Sequence, residues 1–64
     1  MKRSESLSDL DVYRRLCETA EALESLATEA ESLIGETAAK TAALSVRGMA
    51  QAVYEHAIED GTAH

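Results

Sequence analysis

The single thiol, Cys17, is the most reactive group in this sequence. A reactive cysteine needs a nearby cation that lowers its pKa. Arg14 lies one helical turn before Cys17, but Glu18 and Glu21 oppose its charge. We therefore interpret Cys17, which lies beside a run of apolar positions, as a small packing residue.

Histidine offers a second candidate chemistry. His56 and Asp60 are four residues apart, so they would share one face of a helix. A metal site needs more ligands, and the Glu-x-x-His pair of di-iron bundles is absent because Val53 occupies the glutamate position. The sequence also has no phosphate-binding glycine loop, HExxH motif or G-x-S-x-G motif. We predict a protein that is not an enzyme, with no catalytic residue, metal site or cofactor, that acts by contact.

Acidic residues are concentrated between Leu16 and Thr37, where the sequence has six glutamates and no base. Most solvated helix faces mix lysine with glutamate four residues apart, which stabilises the helix. The run either keeps a solvated face acidic for solubility or presents negative charge to a partner. The predicted partner-binding residues are Glu18, Glu21, Glu24, Glu29, Glu31 and Glu36.

The spacing of these glutamates invites a comparison with nucleic acid. On a helix they would place one charge about every 5 Å, whereas a DNA strand carries one about every 3.4 Å. Such a face would suit a basic protein surface, for example on a nucleic-acid-binding complex. The net charge of −6 argues against direct binding of this chain to nucleic acid.

The composition predicts that helices position these residues. Alanine, leucine and glutamate dominate the 64 residues, and proline, tryptophan and phenylalanine are absent. A chain this short forms one domain at most and has a marginal core. A single cysteine makes no internal disulfide, so oligomerisation or docking onto a partner is the expected source of stability.

Capping signals predict a first helix over residues 7–34, after a flexible N-terminal segment, residues 1–6. Ser6 and Ser8 are both candidate N-caps, each with an aspartate three residues later in the capping-box position. Gly35 is a natural residue to end this helix, although one continuous helix through Gly35 is the alternative.

A turn over residues 35–37 and a second helix over residues 38–60 follow, with Thr37 as the expected cap. Gly61 is expected to end this helix and to leave a frayed tail, residues 61–64. Gly48, in mid-helix, has two alternative interpretations: it permits the close approach of a neighbouring helix, or it marks a kink or break.

These helices predict an all-α, antiparallel two-helix hairpin, which would bring Tyr13 and Tyr54 to the same end. Each helix has apolar residues at alternating steps of three and four. A lone hairpin leaves much of each apolar stripe exposed, so we predict a homodimer that forms a four-helix bundle. The predicted core and self-association seam consists of Tyr13, Leu16, Leu23, Ala27, Ile34, Val46, Met49 and Val53.

The sequence also predicts the compartment. We see no secretory signal, and no apolar stretch is long enough to cross a bilayer, so no membrane contact is expected. A lone thiol without an export signal is typical of the reducing cytoplasm.

In size, charge and helical character, the chain resembles the small acidic anti-CRISPR and other anti-defence proteins of phages and mobile elements. The residues that show the likeness are the run from Glu18 to Glu36 and the Leu/Ala seam. Several proteins of that class block a nucleic-acid-binding surface with carboxylates. The resemblance extends over the whole chain but includes no motif, so it assigns a role to no individual residue.

Two functional hypotheses follow. The first is a non-enzymatic inhibitor that uses its acidic helix face to block a basic nucleic-acid-binding surface, as an anti-CRISPR-like or DNA-mimic decoy. The second is a homodimeric helical hairpin that acts as a structural or regulatory module through its Leu/Ala seam.

Overall fold

Two α-helices joined by a short turn make up the described part of the chain. The computed structural model describes residues 7–63, with side chains through residue 59. α1 spans Asp9–Glu29 and α2 spans Leu33–Ala63. The start of α1 contacts the far half of α2 through Asp9 and His56, so the helices run antiparallel. The predicted all-α hairpin is confirmed, and the alternative of one continuous helix is wrong.

Ser8 caps the start of α1, as one of the two predicted N-caps. Its backbone is extended, and its Oγ accepts a hydrogen bond from the Asp11 N–H at 3.1 Å. Hydrogen bonds from Ser8 and then from Arg14 lower the pKa of the Asp11 carboxyl. Negative charge in the first turn also suits the positive end of the helix dipole. Ser6 and the predicted flexible segment, residues 1–6, lie outside the described residues.

The turn occupies residues 30–32, so its predicted position at 35–37 is wrong. Ala30 leaves α1 in an extended conformation, with φ −69° and ψ 139°. Ser32 then caps α2, because its Oγ accepts a hydrogen bond from the Gly35 N–H at 2.9 Å. Gly35 therefore lies in the first turn of α2. No described residue has the positive φ that a helix-ending glycine usually adopts.

α2 runs without interruption through the predicted cap, Thr37, and through Gly61, where it was expected to end. Gly48 neither breaks the helix nor permits a close approach within the hairpin. A Cβ atom built on Gly48 would have no neighbouring atom within 4 Å. The last residue of the predicted frayed tail, His64, lies outside the described residues.

Alanine provides all of the fully buried apolar side chains in the described hairpin. Small side chains let two helices approach closely, while larger side chains pack along the margins of the contact. Among the predicted seam residues, Ala27 is buried, and Tyr13, Leu16, Leu23, Val46 and Val53 are half-buried. The buried residues are Ala20, Ala27, Ala39, Ala43 and Ala50.

Two predicted seam residues lie outside this intramolecular core. Ile34 is 82% exposed and Met49 is 67% exposed. Because the turn comes early, Ile34 is the second residue of α2, on the side directed away from α1. Met49 lies about 120° around α2 from Ala43, so it cannot face α1 directly. Within the hairpin, placing both residues in the core was wrong.

Candidate interaction surfaces

The buried alanines separate two sides of the hairpin. Counting about 100° per residue from Ala20, Glu24 lies on one flank of α1 and Leu23 on the other. Counted in the same way on α2, Arg47 lies on one flank of Ala43. Glu24 and Arg47 meet in an ion pair, so they mark one side of the hairpin, which we call the charged side.

The opposite side, which we call the apolar face, is formed by both helices. The α2 residues recur at alternating steps of four and three, and the α1 residues follow the same spacing except that Thr19 occupies the position between Leu16 and Leu23, so each set lies along one stripe of its helix. Leu26 is 54% exposed and Met49 is 67% exposed, and the other members are half-buried. No charged residue occupies these helical positions, and Arg15 lies at the outer edge of the face. The apolar face consists of Val12, Leu16, Leu23 and Leu26 on α1 and Ala42, Val46, Met49 and Val53 on α2.

Ion pairs dominate the charged side in the half near the turn. Arg47 donates two hydrogen bonds to Glu24, from Nε to Oε2 at 2.8 Å and from Nη2 to Oε1 at 2.9 Å. These bonds lower the pKa of the Glu24 carboxyl and raise that of the Arg47 guanidinium. Lys40 pairs with Glu36 at 3.0 Å. The contact between Glu24 and Arg47 ties α1 to α2 at a fixed register.

The structure divides the six predicted partner-binding glutamates into two groups. Glu24 and Glu36 are engaged by bases of α2, so the run is partly compensated. The other four carboxylates are exposed, three on α1 and one in the turn. None of these four has an ion pair within 4 Å to a described base, although Glu21 contributes to the raised pKa of Arg47. The exposed group is Glu18, Glu21, Glu29 and Glu31.

An open groove of about 430 Å³ lies on the charged side, toward the end away from the turn. Tyr13 and Tyr54 meet there with ring centroids 4.9 Å apart and planes inclined by 39°, as the hairpin topology predicted. A hydrogen bond with half-buried Cys17 raises the pKa of the Tyr13 hydroxyl. Arg47 also lines the groove, but its guanidinium already donates to Glu24.

At the same end, His56 Nδ1 lies 2.7 Å from Asp9 Oδ2. The predicted pairing of His56 with Asp60 on one face is not described, because the Asp60 side chain lies outside the described side chains. Among the side chains that are described, no three from His, Cys, Asp and Glu come together as a metal site would require. Neither described helix combines the length and the apolar character that crossing a membrane requires.

Comparison of the sequence with protein-family models and with curated proteins, and of the fold with solved structures, finds no match.

Proposed function

We propose that this chain is a non-enzymatic structural or regulatory module whose working unit is a homodimer, formed through the apolar face. One observation carries the proposal: among the described side chains only alanines are buried, while the eight residues of the apolar face carry no charge and include the exposed Leu26 and Met49. Burying such side chains supplies about 1.5–3 kcal/mol each. A second copy placed on this face would provide that burial.

The dimensions of the molecule support a missing second layer. Its thinnest principal extent is 14 Å, little more than the about 10–12 Å diameter of one helix with its side chains. Domains bury their apolar faces between at least two packed layers.

Charge distinguishes the apolar face from the charged side as a surface for pairing. A second copy on the charged side would desolvate the Glu24–Arg47 and Glu36–Lys40 pairs. Removing ion pairs from water costs free energy that their mutual attraction often fails to offset. The apolar face imposes no such cost, so it is the favoured surface.

Two matched substitutions on α2 test this proposal. Met49 and Leu44 are exposed to a similar degree, 67% and 72%, but only Met49 belongs to the apolar face. Met49→Glu places two charges in the proposed interface, and we expect dimerisation to weaken at least about 100-fold. Leu44→Glu should leave the dimer intact. Sedimentation equilibrium measures the dimer dissociation constant of each variant, and circular dichroism follows the helix content.

If the hairpin folds only as a dimer, Met49→Glu should lose both the dimer and its helix content, whereas Leu44→Glu should keep both. Equal behaviour of the two variants, whether both dimeric or both monomeric, would contradict pairing through the apolar face.

A second function is favoured by a separate observation, the four exposed glutamates of α1 and the turn. These carboxylates lie away from the apolar face, so a dimer would leave them accessible. We propose, as the second candidate, that they bind a basic protein surface and block a nucleic-acid-binding site on it, as in the anti-CRISPR-like or DNA-mimic hypothesis. Their charge would also accelerate association at low salt.

Charge-neutralising variants test this second candidate. Four glutamates are replaced with glutamine in one variant, and the ion-paired Glu24 and Glu36 in its control. The chain is used to capture proteins from a bacterial lysate, and duplex DNA is then added as a competitor. A nucleic-acid-binding protein that is retained by the native chain and the control, lost by the variant and released by DNA would support the decoy. Retention by all three chains, unaffected by DNA, would contradict it. The replaced residues are Glu18, Glu21, Glu29 and Glu31.

A cytoplasmic location remains a prediction. It rests on the lone thiol of Cys17, which the structure shows half-buried and free of a disulfide.

A further inference from the structure

We infer that the contact between His56 and Asp9 is a pH-dependent clasp between the two helices. It holds α1 and α2 together at the end of the hairpin away from the turn, which we call the open end. The clasp tightens as the pH falls through the range in which histidine gains its proton. This inference goes beyond the proposed dimer and does not depend on it.

The spacing along both helices places the clasp at the end of the apolar face. Asp9 lies three residues before Val12 on α1, and His56 lies three residues after Val53 on α2. Each therefore occupies the next position of the stripe that the apolar face follows on its helix. The two side chains meet there, with His56 Nδ1 2.7 Å from Asp9 Oδ2. A polar contact thus joins the two helices where the apolar face ends.

Protonation of His56 strengthens this contact. A neutral imidazole donates to Asp9 only in the tautomer that carries its proton on Nδ1. The imidazolium has a proton on both nitrogens and adds the attraction of opposite charges. The closed end therefore binds the proton more tightly than a separated end does. The stabilisation is present at mildly acidic pH and is lost as the pH rises through the histidine range.

The Glu24–Arg47 pair, which lies nearer the turn, does not respond over this range. Arginine keeps its charge, and the lowered pKa of the Glu24 carboxyl keeps it ionised. The Tyr13 hydroxyl, which lies at the open end and has a raised pKa, stays neutral. A change of pH between about 5.5 and 8 therefore acts on the open end and spares the contact near the turn.

The other charged groups around His56 provide a constant background. On α1, Asp11 lies about 200° around the helix from Asp9 and pairs with Arg14 at 2.6 Å. Arg15 lies six residues after Asp9, about 9 Å along the helix. Carboxylates and arginines keep their charges between about pH 5.5 and 8, so among these groups only His56 changes. The acidic residues near His56 on α2 are Glu55, Glu59 and Asp60.

A double-mutant cycle tests the clasp. The native chain, Asp9→Ala, His56→Ala and the double variant are unfolded with urea at one fixed concentration, at about pH 5.5 and about pH 8. The two side chains are 44% and 64% exposed, and exposed pairs are weak. We therefore expect the coupling to favour folding about two- to five-fold at the lower pH and less at the higher pH. Interactions of His56 within α2, and the titration of His64, cancel in the cycle.

A second cycle, with Asp11→Ala in place of Asp9→Ala, is the matched control. Asp11 carries the same charge in the same helical turn but lies on the opposite side of α1. Coupling of His56 to Asp9 that is present at the lower pH, falls at the higher pH and is absent for Asp11 supports the clasp. Coupling to Asp9 that is equal at both pH values, absent at the lower pH, or matched by Asp11 overturns it. Each outcome leaves the proposed dimer standing, because all chains are compared at one concentration.

Discussion

The apolar face and the charged side belong to the same two helices but differ in what holds them. On the charged side, Glu24 reaches across to Arg47, and Lys40 holds Glu36, so the polar groups there already have partners within the chain. On the apolar face, Leu26 and Met49 remain largely exposed. The contrast is that Glu24 and Glu36 have partners within the chain, whereas Leu26 and Met49 would be covered only by the second copy that we propose.

The two sides also contribute differently to the alignment and the stability of the helices. The ion pair between Glu24 and Arg47 fixes how α1 and α2 align, but exposed pairs contribute little stability. The stability must come from apolar burial, which five alanines supply only in part. Substitutions that alter one side and spare the other therefore measure how far the two depend on each other.

Enlarging the alanine contact between the helices should have the largest effect on stability. Ala43 is 2% exposed, and Ala43→Leu would force α1 and α2 apart at a cost of about 1–3 kcal/mol. Ala52, exposed on the outer side of α2, provides the control: Ala52→Leu should change the free energy of unfolding only slightly. Urea unfolding at one fixed concentration compares the variants. Equal effects at the two positions would show that the alanine contact does not set the helix spacing.

Two of the three glycines of α2, Gly35 and Gly48, provide an intermediate effect of opposite sign. Gly48 has open space where a Cβ would lie, so Gly48→Ala should stabilise the protein by about 1 kcal/mol through helix propensity. At Gly35 an added Cβ would lie 3.2 Å from the Ser32 Oγ that caps α2. Gly35→Ala should therefore stabilise the protein by less than Gly48→Ala does, or should destabilise it. Thermal unfolding distinguishes them, and a destabilising Gly48→Ala would indicate that another surface contacts this position.

The ion pair on the charged side should give the smallest effect, and one that depends on pH. The hydrogen bonds from Arg47 lower the pKa of Glu24 below its ordinary 4.5. The pair therefore contributes stability above pH 4.5, and this contribution disappears as the pH falls through the lowered folded-state pKa. Glu24→Gln should be less stable than the native chain at neutral pH and equal to it in acid. Glu29→Gln, which removes the same charge from an exposed site, is the control. A difference that persists at low pH would contradict the assigned cause.

The local signals in the sequence predicted the start of the fold well. Ser8, followed by Asp11 three residues later, is a short-range capping pattern, and the structure forms it. The turn was predicted to begin at Gly35, but it comes earlier in the chain. The Ser32 hydroxyl accepts a hydrogen bond from the Gly35 N–H and so caps the start of α2. A glycine that suits a helix end therefore became part of a helix start, because the neighbouring serine is a better N-cap.

The long-range contacts were harder to predict. The apolar residues of each helix cover a wide arc, so their spacing alone does not show which stripe faces α1 and which faces outward. Close packing selects the alanines for the contact and leaves Met49 outside it. The pairing of Glu24 with Arg47 depends on the position of the turn, and the misplaced turn concealed it. Of the six glutamates, Glu24 and Glu36 are paired with bases of α2, which the run considered by itself did not indicate.

The mass of the unmodified chain in solution tests the central claim most directly. Sedimentation equilibrium over about a hundredfold range of concentration measures this mass without any substitution. The account predicts a species of about twice 6.9 kDa, with dissociation and loss of helix together on dilution. A folded, fully helical monomer of 6.9 kDa throughout that range would contradict the account, because the apolar face would then be stable in water.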